Sequence, residues 1–169
     1  SYFNDTIISD GYQEAFIIRC DTMGVTTLLK SCGTRSGIYK FEDRASSITS
    51  DAQQNIVFTV NGEGSYFSIN GDTANATQYV GLNSYGDIFI VSLRPDGTTR
   101  WIRNCGTPFK DDAAYDVDAN ESGEISVSGA VSGSNTVFHF GSLTHTYKYS
   151  QYGLQGFVGK LDSSGVPLW

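Results

Sequence analysis

The run Asp118-x-Asn120-x-Ser122-Gly123 carries oxygen-bearing side chains at alternate positions. That is the spacing with which a calcium loop begins to surround a hard cation. A full loop of this kind needs a Glu at its twelfth position, but Gly129 stands there, with Ser126 at the ninth. The corresponding earlier stretch, Asp51-Ala-Gln53-Gln54-Asn55, keeps little of the pattern. An Asx-type hairpin turn is therefore preferred to a metal site, and no metal ligand is assigned.

Other chemistry finds no foothold. His139 and His145 are the only histidines, no G-x-S-x-G elbow occurs, and no Ser-His-Asp order can be drawn. The acidic pairs Glu42-Asp43 and Asp111-Asp112 recur at equivalent points of a repeat, which suits a turn feature better than two general acids. No glycine-rich phosphate loop is present. The expectation is a chain with no catalytic residue and no cofactor. Sequons occur at Asn4, Asn75 and Asn120. Asn4 and Asn75 fall in predicted exposed loops and are the glycosylation candidates for a chain that enters a secretory pathway, whereas Asn120 sits in a tight turn.

Cys20, Cys32 and Cys105 form no C-x-x-C pair, so a zinc site is not expected. Cys32 and Cys105 are each followed by Gly-Thr at the same repeat position. Either they bridge two units, which needs Cα atoms within ~7 Å, or they are buried thiols acting as small hydrophobes. The second reading is favoured, and Cys20 is free in both.

The elements that would position these residues come from an internal repeat. Ala15–Thr34 aligns without a gap with Ile88–Thr107 at an offset of 73, and Gly156–Trp169 follows as a shorter copy at a further 68. Each copy reads as an apolar strand, a four-residue turn ending in Gly, and a return strand. Phe16, Ile18 and Cys20 alternate with Ala15, Ile17 and Arg19, and apolar residues on both faces predict a strand covered on both sides. The turns Asp21–Gly24, Arg94–Gly97 and Asp162–Gly165 predict a type I turn with a following Gly bulge.

A second hairpin is expected from Ser47–Ser50 into Ile56–Val60, matched by Asp116–Ala119 and Glu124–Ser128. Asp111-Asp112-Ala113-Ala114 predicts one helical turn at most. Long Tyr-rich inserts, 61–87 and 129–155, each contain an aromatic segment suited to a short extra strand. Ser1-Tyr2-Phe3 returns as Ser65-Tyr66-Phe67, so the chain starts at a definite phase of the repeat. The units divide as 1–64, 65–135 and 136–169, and these phases read as a piece of something longer.

With 17% charged residues, 19 Gly and only 3 Pro, the composition suits an all-β chain of short strands. A net charge of −7 argues against a nucleic-acid partner and against an anionic membrane surface. No run is long enough to insert into a membrane as a helix.

Four antiparallel strands per repeated unit match the blade of a β-propeller. Gly156-Phe-Val-Gly-Lys-Leu-Asp-Ser-Ser-Gly-Val-Pro-Leu-Trp169 resembles the SBBP β-propeller repeat of bacterial surface and secreted proteins. Asp118-Ala-Asn-Glu-Ser-Gly-Glu-Ile-Ser-Val-Ser-Gly129 is similar to the other half of that motif, and Asp51–Val60 more loosely so. The resemblance spans about two and a half units and implies propeller-like blades in an incomplete ring, with no catalytic residues. A non-enzymatic structural or adhesive module of a surface, appendage or virion protein is expected, extracellular or surface-exposed. Its partners would be proteins or further copies joined through open blade edges. The alternative is a ligand- or glycan-binding propeller using the Tyr-rich loops, and a third reading is an enzyme whose active residues lie on other blades.

Overall fold

Alternating β-branched and aromatic residues, interrupted by Asp- or Asn-led turns, favour strands throughout. The computed structural model describes residues 6–7, 13–35, 42–77, 86–133, 136–147 and 153–169, and these contain strands and no helix. In chain order the strands are β1 (Ala15–Cys20), β2 (Thr26–Arg35), β3 (Asp43–Ser50), β4 (Ile56–Gly62), β5 (Tyr66–Ile69), β6 (Asp72–Asn75) and β7 (Asp87–Leu93). They continue with β8 (Thr99–Gly106), β9 (Ala113–Ala119), β10 (Ile125–Ser132), β11 (Thr136–Phe140), β12 (Leu143–Tyr147) and β13 (Leu154–Leu161). The expected all-β class is correct. The helical turn allowed at Ala113-Ala114 is instead the start of β9, where Ala114 is buried in the core.

Three antiparallel sheets form, ordered β1-β2-β5-β6, β12-β11-β8-β7-β4-β3 and β13-β10-β9. The hairpin turns share one geometry. Asp21, Arg94 and Asp162 each donate their backbone N–H to the residue four positions on, and the Gly three positions on returns an N–H to their carbonyl. The turns led by Asp51 and Asn120 repeat this pattern. Gly24, Gly97, Gly123 and Gly165 take positive φ in these turns, while Gln54 does so at φ 63 without being glycine.

The inserts do more than the sequence pattern suggested. Each supplies a complete hairpin, β5–β6 or β11–β12, so a unit contributes six strands rather than four. The hairpin leaves its own unit and extends the preceding sheet: β5 pairs with β2 through Gly33↔Ser68, and β11 pairs with β8 through Gly106↔His139. Gly33 and Gly106 are equivalent in the repeat, so the attachment is itself repeated.

The six-stranded sheet lies between the other two. Ile56, Phe58 and Val60 of β4 and Phe89, Val91 and Leu93 of β7 meet Ala15, Ile17, Leu28, Cys32, Phe67 and Ile69 of the first sheet. On the opposite face, Val57, Ile88 and Ile90 meet Val117, Ile125, Val127 and Leu161 of the third sheet. All seven residues of β7 are buried, as two-sided apolar character predicts. Its counterparts differ. Phe16 and Ile18 of β1 are 62% and 43% exposed, and Leu154 and Val158 of β13 are 68% and 64% exposed. Expected cover on both sides thus holds only for the strand with a sheet on each side.

The turns also lock one unit to the next. The Trp101 indole N–H donates to the Ser163 carbonyl at 3.1 Å, and Arg103 donates to the carbonyls of Gly165 at 2.8 Å and Ser164 at 3.0 Å. A methyl group at Gly165 would lie 2.8 Å from the Trp101 ring. One unit earlier, the aligned Gly97 sits over Leu28, while Gly24 faces open space.

Gln54→Gly is expected to raise stability by about 1 kcal/mol by removing left-handed strain. Gly165→Ala, which adds both strain and a clash with Trp101, is expected to lose roughly 1–3 kcal/mol. Urea denaturation of the two variants measures both effects, and equal midpoints for them would contradict this account.

Candidate interaction site

The residues singled out for chemistry serve mostly as joints. The Asn120 side chain accepts the Glu124 backbone N–H at 2.9 Å and donates to the Glu124 carboxylate at 2.7 Å. Asp118 accepts the Thr49 hydroxyl at 3.2 Å, and Glu124 is paired with Lys160 at 2.6 Å. The loop thus folds as an Asx-type turn with its oxygens directed to different partners. Among the described residues no group of three or more His, Cys, Asp or Glu side chains is arranged to hold a metal. His145 stands edge-on to Tyr147 at 4.9 Å, and His139 lies across from Gly106. Asn75 ends β6 with an exposed side chain. Asn4, like Tyr2 and Phe3, lies outside the described residues.

The three thiols are free, with Cys20 exposed and the other two buried. Cys32 belongs to the core between the first and second sheets and Cys105 to the core between the second and third. Burial pushes the Cys32 thiol up to about 12 and raises that of Cys105 well above its ordinary value. Both are therefore unreactive as nucleophiles.

The acidic pairs have a different use. Asp43 accepts the Thr34 backbone N–H at 2.9 Å and its hydroxyl at 2.7 Å. Asp112 accepts the backbone N–H of Thr107, the hydroxyl of Thr107 at 2.9 Å, and the Ser132 N–H at 3.1 Å. Thr34 lies at the end of the first sheet's β2, one residue before Arg35, while Asp43 opens β3 of the second. Thr107 follows β8 of the second sheet while Asp112 precedes β9 of the third. Each Cys-Gly-Thr segment thus marks a crossing between sheets, closed by a buried carboxylate. Their partners Glu42 and Asp111 stay outside these clusters, Glu42 paired with Arg44 at 2.6 Å and Asp111 accepting the Gly86 N–H at 3.0 Å.

Asp87 is a further buried carboxylate, accepting the Thr77 N–H and the Asn104 side-chain N–H at 3.2 Å. The sequence reading passed over it. The available signal was an acid immediately before each full copy of the repeated strand: Glu14 aligns with Asp87 and pairs with Arg35 at 2.8 Å. Gly106 lies between Asp87 and Asp112, and a side chain there would strike both carboxylates. Burial, against the pull of the Thr donors, pushes the Asp43 and Asp87 carboxyls up to about 6 and Asp112 to about 7.

Two features face outward. One is the pair of apolar faces at opposite ends of the stack, carried by Phe16 and Ile18 of β1 and by Leu154 and Val158 of β13. The other is a groove of ≈ 470 Å³ between the β11–β12 hairpin and β13, lined by Phe138, Phe140, Tyr147, Phe157, Gly159 and Trp169. Phe138 contacts Phe157 at 4.9 Å and Tyr147 at 6.3 Å, so the groove wall is a continuous aromatic cluster.

The pH dependence of stability follows chiefly from the raised carboxyls of Asp43, Asp87 and Asp112, with Glu63, also raised by burial, acting in the same direction. The folded-state values of the three Asp carboxyls exceed the ordinary 3.8, so the folded chain holds protons more tightly than the unfolded one. This contribution is fully present below about pH 4 and is lost as pH rises through about 6 to 7. The melting temperature is expected to be higher at pH 5 than at pH 8. Asp112→Asn should flatten that slope while costing about 1–3 kcal/mol from mismatched Thr107 donors. A melting temperature that falls between pH 8 and pH 5 would contradict the assignment.

In comparisons with known proteins, the chain matches no protein-family model and no curated protein.

Proposed function

We propose that this chain is a non-enzymatic structural or adhesive module built from β-propeller-type repeat units and acting through protein–protein contacts. The observation that carries the reading is the pair of Thr–carboxylate crossings, Thr34–Asp43 and Thr107–Asp112, which repeat the same sheet-to-sheet step. A chain that repeats one stacking step makes a rigid scaffold whose stability adds up unit by unit. The antiparallel run β3-β4-β7-β8 has the strand order of a four-stranded blade, in keeping with the resemblance to the SBBP repeat. The acidic side chains singled out in the sequence are taken up by structural hydrogen bonds and His145 by a ring contact with Tyr147, which favours scaffold over catalysis. A surface, appendage or virion setting, outside the cell, suits such a module, and Asn75 offers an exposed sequon there.

The end faces supply the contacts. Phe16 and Ile18 occupy the positions of Phe89 and Val91, which in the middle sheet are buried against a neighbouring sheet. Val158 occupies the position of Ile90, buried on the other side. The two ends therefore carry the two halves of one interface, an arrangement that builds head-to-tail assemblies. The aromatic groove favours the second reading, a ligand- or glycan-binding propeller, because aromatic walls with few polar groups suit small-ligand sites.

Light scattering over a range of protein concentrations tests the scaffold reading. The expected result is concentration-dependent association that Phe16→Ser with Ile18→Ser weakens at least about tenfold, each tenfold corresponding to about 1.4 kcal/mol. A strictly monomeric species at all concentrations would overturn contact through these faces.

A further inference from the structure

The two sheet crossings are built alike but carry different charge. Gly33 and Gly106, Glu14 and Asp87, and Arg35 and Pro108 are equivalent in the repeat at the offset of 73, with Asp43 and Asp112 as the crossing acids. At the first crossing a cation accompanies the two acids. Arg35 pairs with Glu14 at 2.8 Å, and its other terminal nitrogen lies 3.2 Å from the point where a Cβ on Gly33 would stand. The Asp43 carboxylate crowds that same point. At the second crossing the Asp87 and Asp112 carboxylates both crowd the corresponding point beside Gly106, the Asp112 oxygen at 3.0 Å and the Asp87 oxygen closer still. Proline stands where the first crossing has its arginine.

Among the described residues the donors to this second pair are all neutral. Asp87 accepts the N–H of Thr77, just after β6, and the Asn104 side chain of β8 at 3.2 Å. Asp112 accepts the N–H and hydroxyl of Thr107 and the Ser132 N–H of β10. The described titratable groups that face the pair are its own two members, the buried Cys105 thiol and Tyr147. Asp111 accepts the Gly86 N–H at 3.0 Å, and Lys110 is exposed. Among the described residues no Lys, Arg or His forms an ion pair with Asp87 or Asp112. Two buried carboxylates without a counter-ion favour holding a proton, because burial and the neighbouring like charge both oppose ionisation.

We propose that Asp87 and Asp112 form a proton-operated latch between the second and third sheets, closed while the pair holds a proton and loosened when both carboxylates are charged. The latch gathers four pieces of chain: the end of the β5–β6 hairpin through Thr77, β8 through Asn104, the crossing through Thr107, and β10 through Ser132. When both acids are charged they repel across Gly106, and the crossing into β9 opens more readily. Burial lifts the Asp87 carboxyl to about 6 and, with the Asp87 charge adding to it, that of Asp112 to about 7, above the ordinary 3.8. The closed state is therefore favoured in acid, and that advantage is lost as pH rises through about 6 to 7. At the first crossing burial also raises Asp43, but the Thr34 donors and then the Arg35 guanidinium work against it. That crossing answers to pH less steeply. The latch is independent of what the chain binds.

The two buried thiols report on the two crossings separately. Cys32 precedes Gly33 in the core between the first and second sheets, and Cys105 precedes Gly106 in the core between the second and third. Iodoacetamide labelling of the folded chain is followed peptide by peptide by mass spectrometry, with exposed Cys20 as the reactive reference. Each rate is divided by that of the urea-unfolded chain at the same pH, which removes the intrinsic pH dependence of the thiol. From pH 5 to pH 8 the normalised rate at Cys105 is expected to rise at least about tenfold more than that at Cys32, because two acids rather than one give up protons there. Asp87→Asn keeps an acceptor for Thr77 but removes one charge, and should cut the rise at Cys105 by about tenfold while leaving Cys32 unchanged. Arg35→Gln, in the opposite sense, should steepen the rise at Cys32. Equal pH dependence at the two thiols in the unaltered chain, or a Cys105 rate that falls from pH 5 to pH 8, would overturn the latch. So would an unchanged Cys105 rise in folded Asp87→Asn or an unchanged Cys32 rise in folded Arg35→Gln. The unaltered chain decides the question even if neither variant folds.

Discussion

A carboxylate taken out of water must find donors or give up its charge, and this demand sets how each sheet meets the next. Asp43 and Asp112 are buried at the two crossings, and each accepts the backbone N–H and hydroxyl of one Thr, Asp112 taking the Ser132 N–H as well. The two Thr donors come from one residue, so that residue's backbone must lie against the carboxylate. The preceding residue is then squeezed, and only Gly fits at 33 and 106. The Cys, Gly and Thr of the repeated segment thus answer one requirement: a small buried thiol toward the core, no side chain beside the acid, and two donors onto it. Once that joint is made, the following strand starts from a fixed point on the next sheet.

The consequences run outward from the joints. The middle sheet gains a neighbour on each face, and β7 buries every residue. The same strand type at β1 or β13 leaves large apolar side chains in water. Burial of such side chains is worth roughly 1.5–3 kcal/mol each, which β7 gains on both faces and the outer strands on one. The inserted hairpins add a second, orthogonal link between units. β5–β6 and β11–β12 reach back to the preceding sheet and pair with its last strand, so successive units are joined both face to face and edge to edge.

Much of this organisation was legible in the sequence. The alignment of Ala15–Thr34 with Ile88–Thr107, the Gly-ended turns and the two-sided apolar alternation are local patterns, and local hydrogen bonding and side-chain periodicity are enough to determine strands and hairpins from them. That the acids at 43 and 112 recur in step with the repeat was also readable, but their use differs from the turn feature expected: each is buried against a Thr at a crossing between sheets. The preference for an Asx turn over a cation at Asp118–Ser122 came from the missing Glu at the loop's end, and the Asn120–Glu124 bonds complete that turn.

Other features depended on residues distant in sequence. Which sheet the inserted hairpins would join could not be read, because β5 pairs with β2 and β11 with β8 across whole repeat units. Asp87 looks like an ordinary strand-initiating acid until Asn104 and Thr77 close over it. The exposure of Phe16 and the burial of its equivalent Phe89 cannot follow from two matching local patterns, since only the presence or absence of a facing sheet separates them. The sequence by itself determined the repeating strand-and-turn unit, because local geometry and alternation are properties of short segments. The tertiary structure alone decided which faces and edges are covered, because burial and strand pairing are made between units.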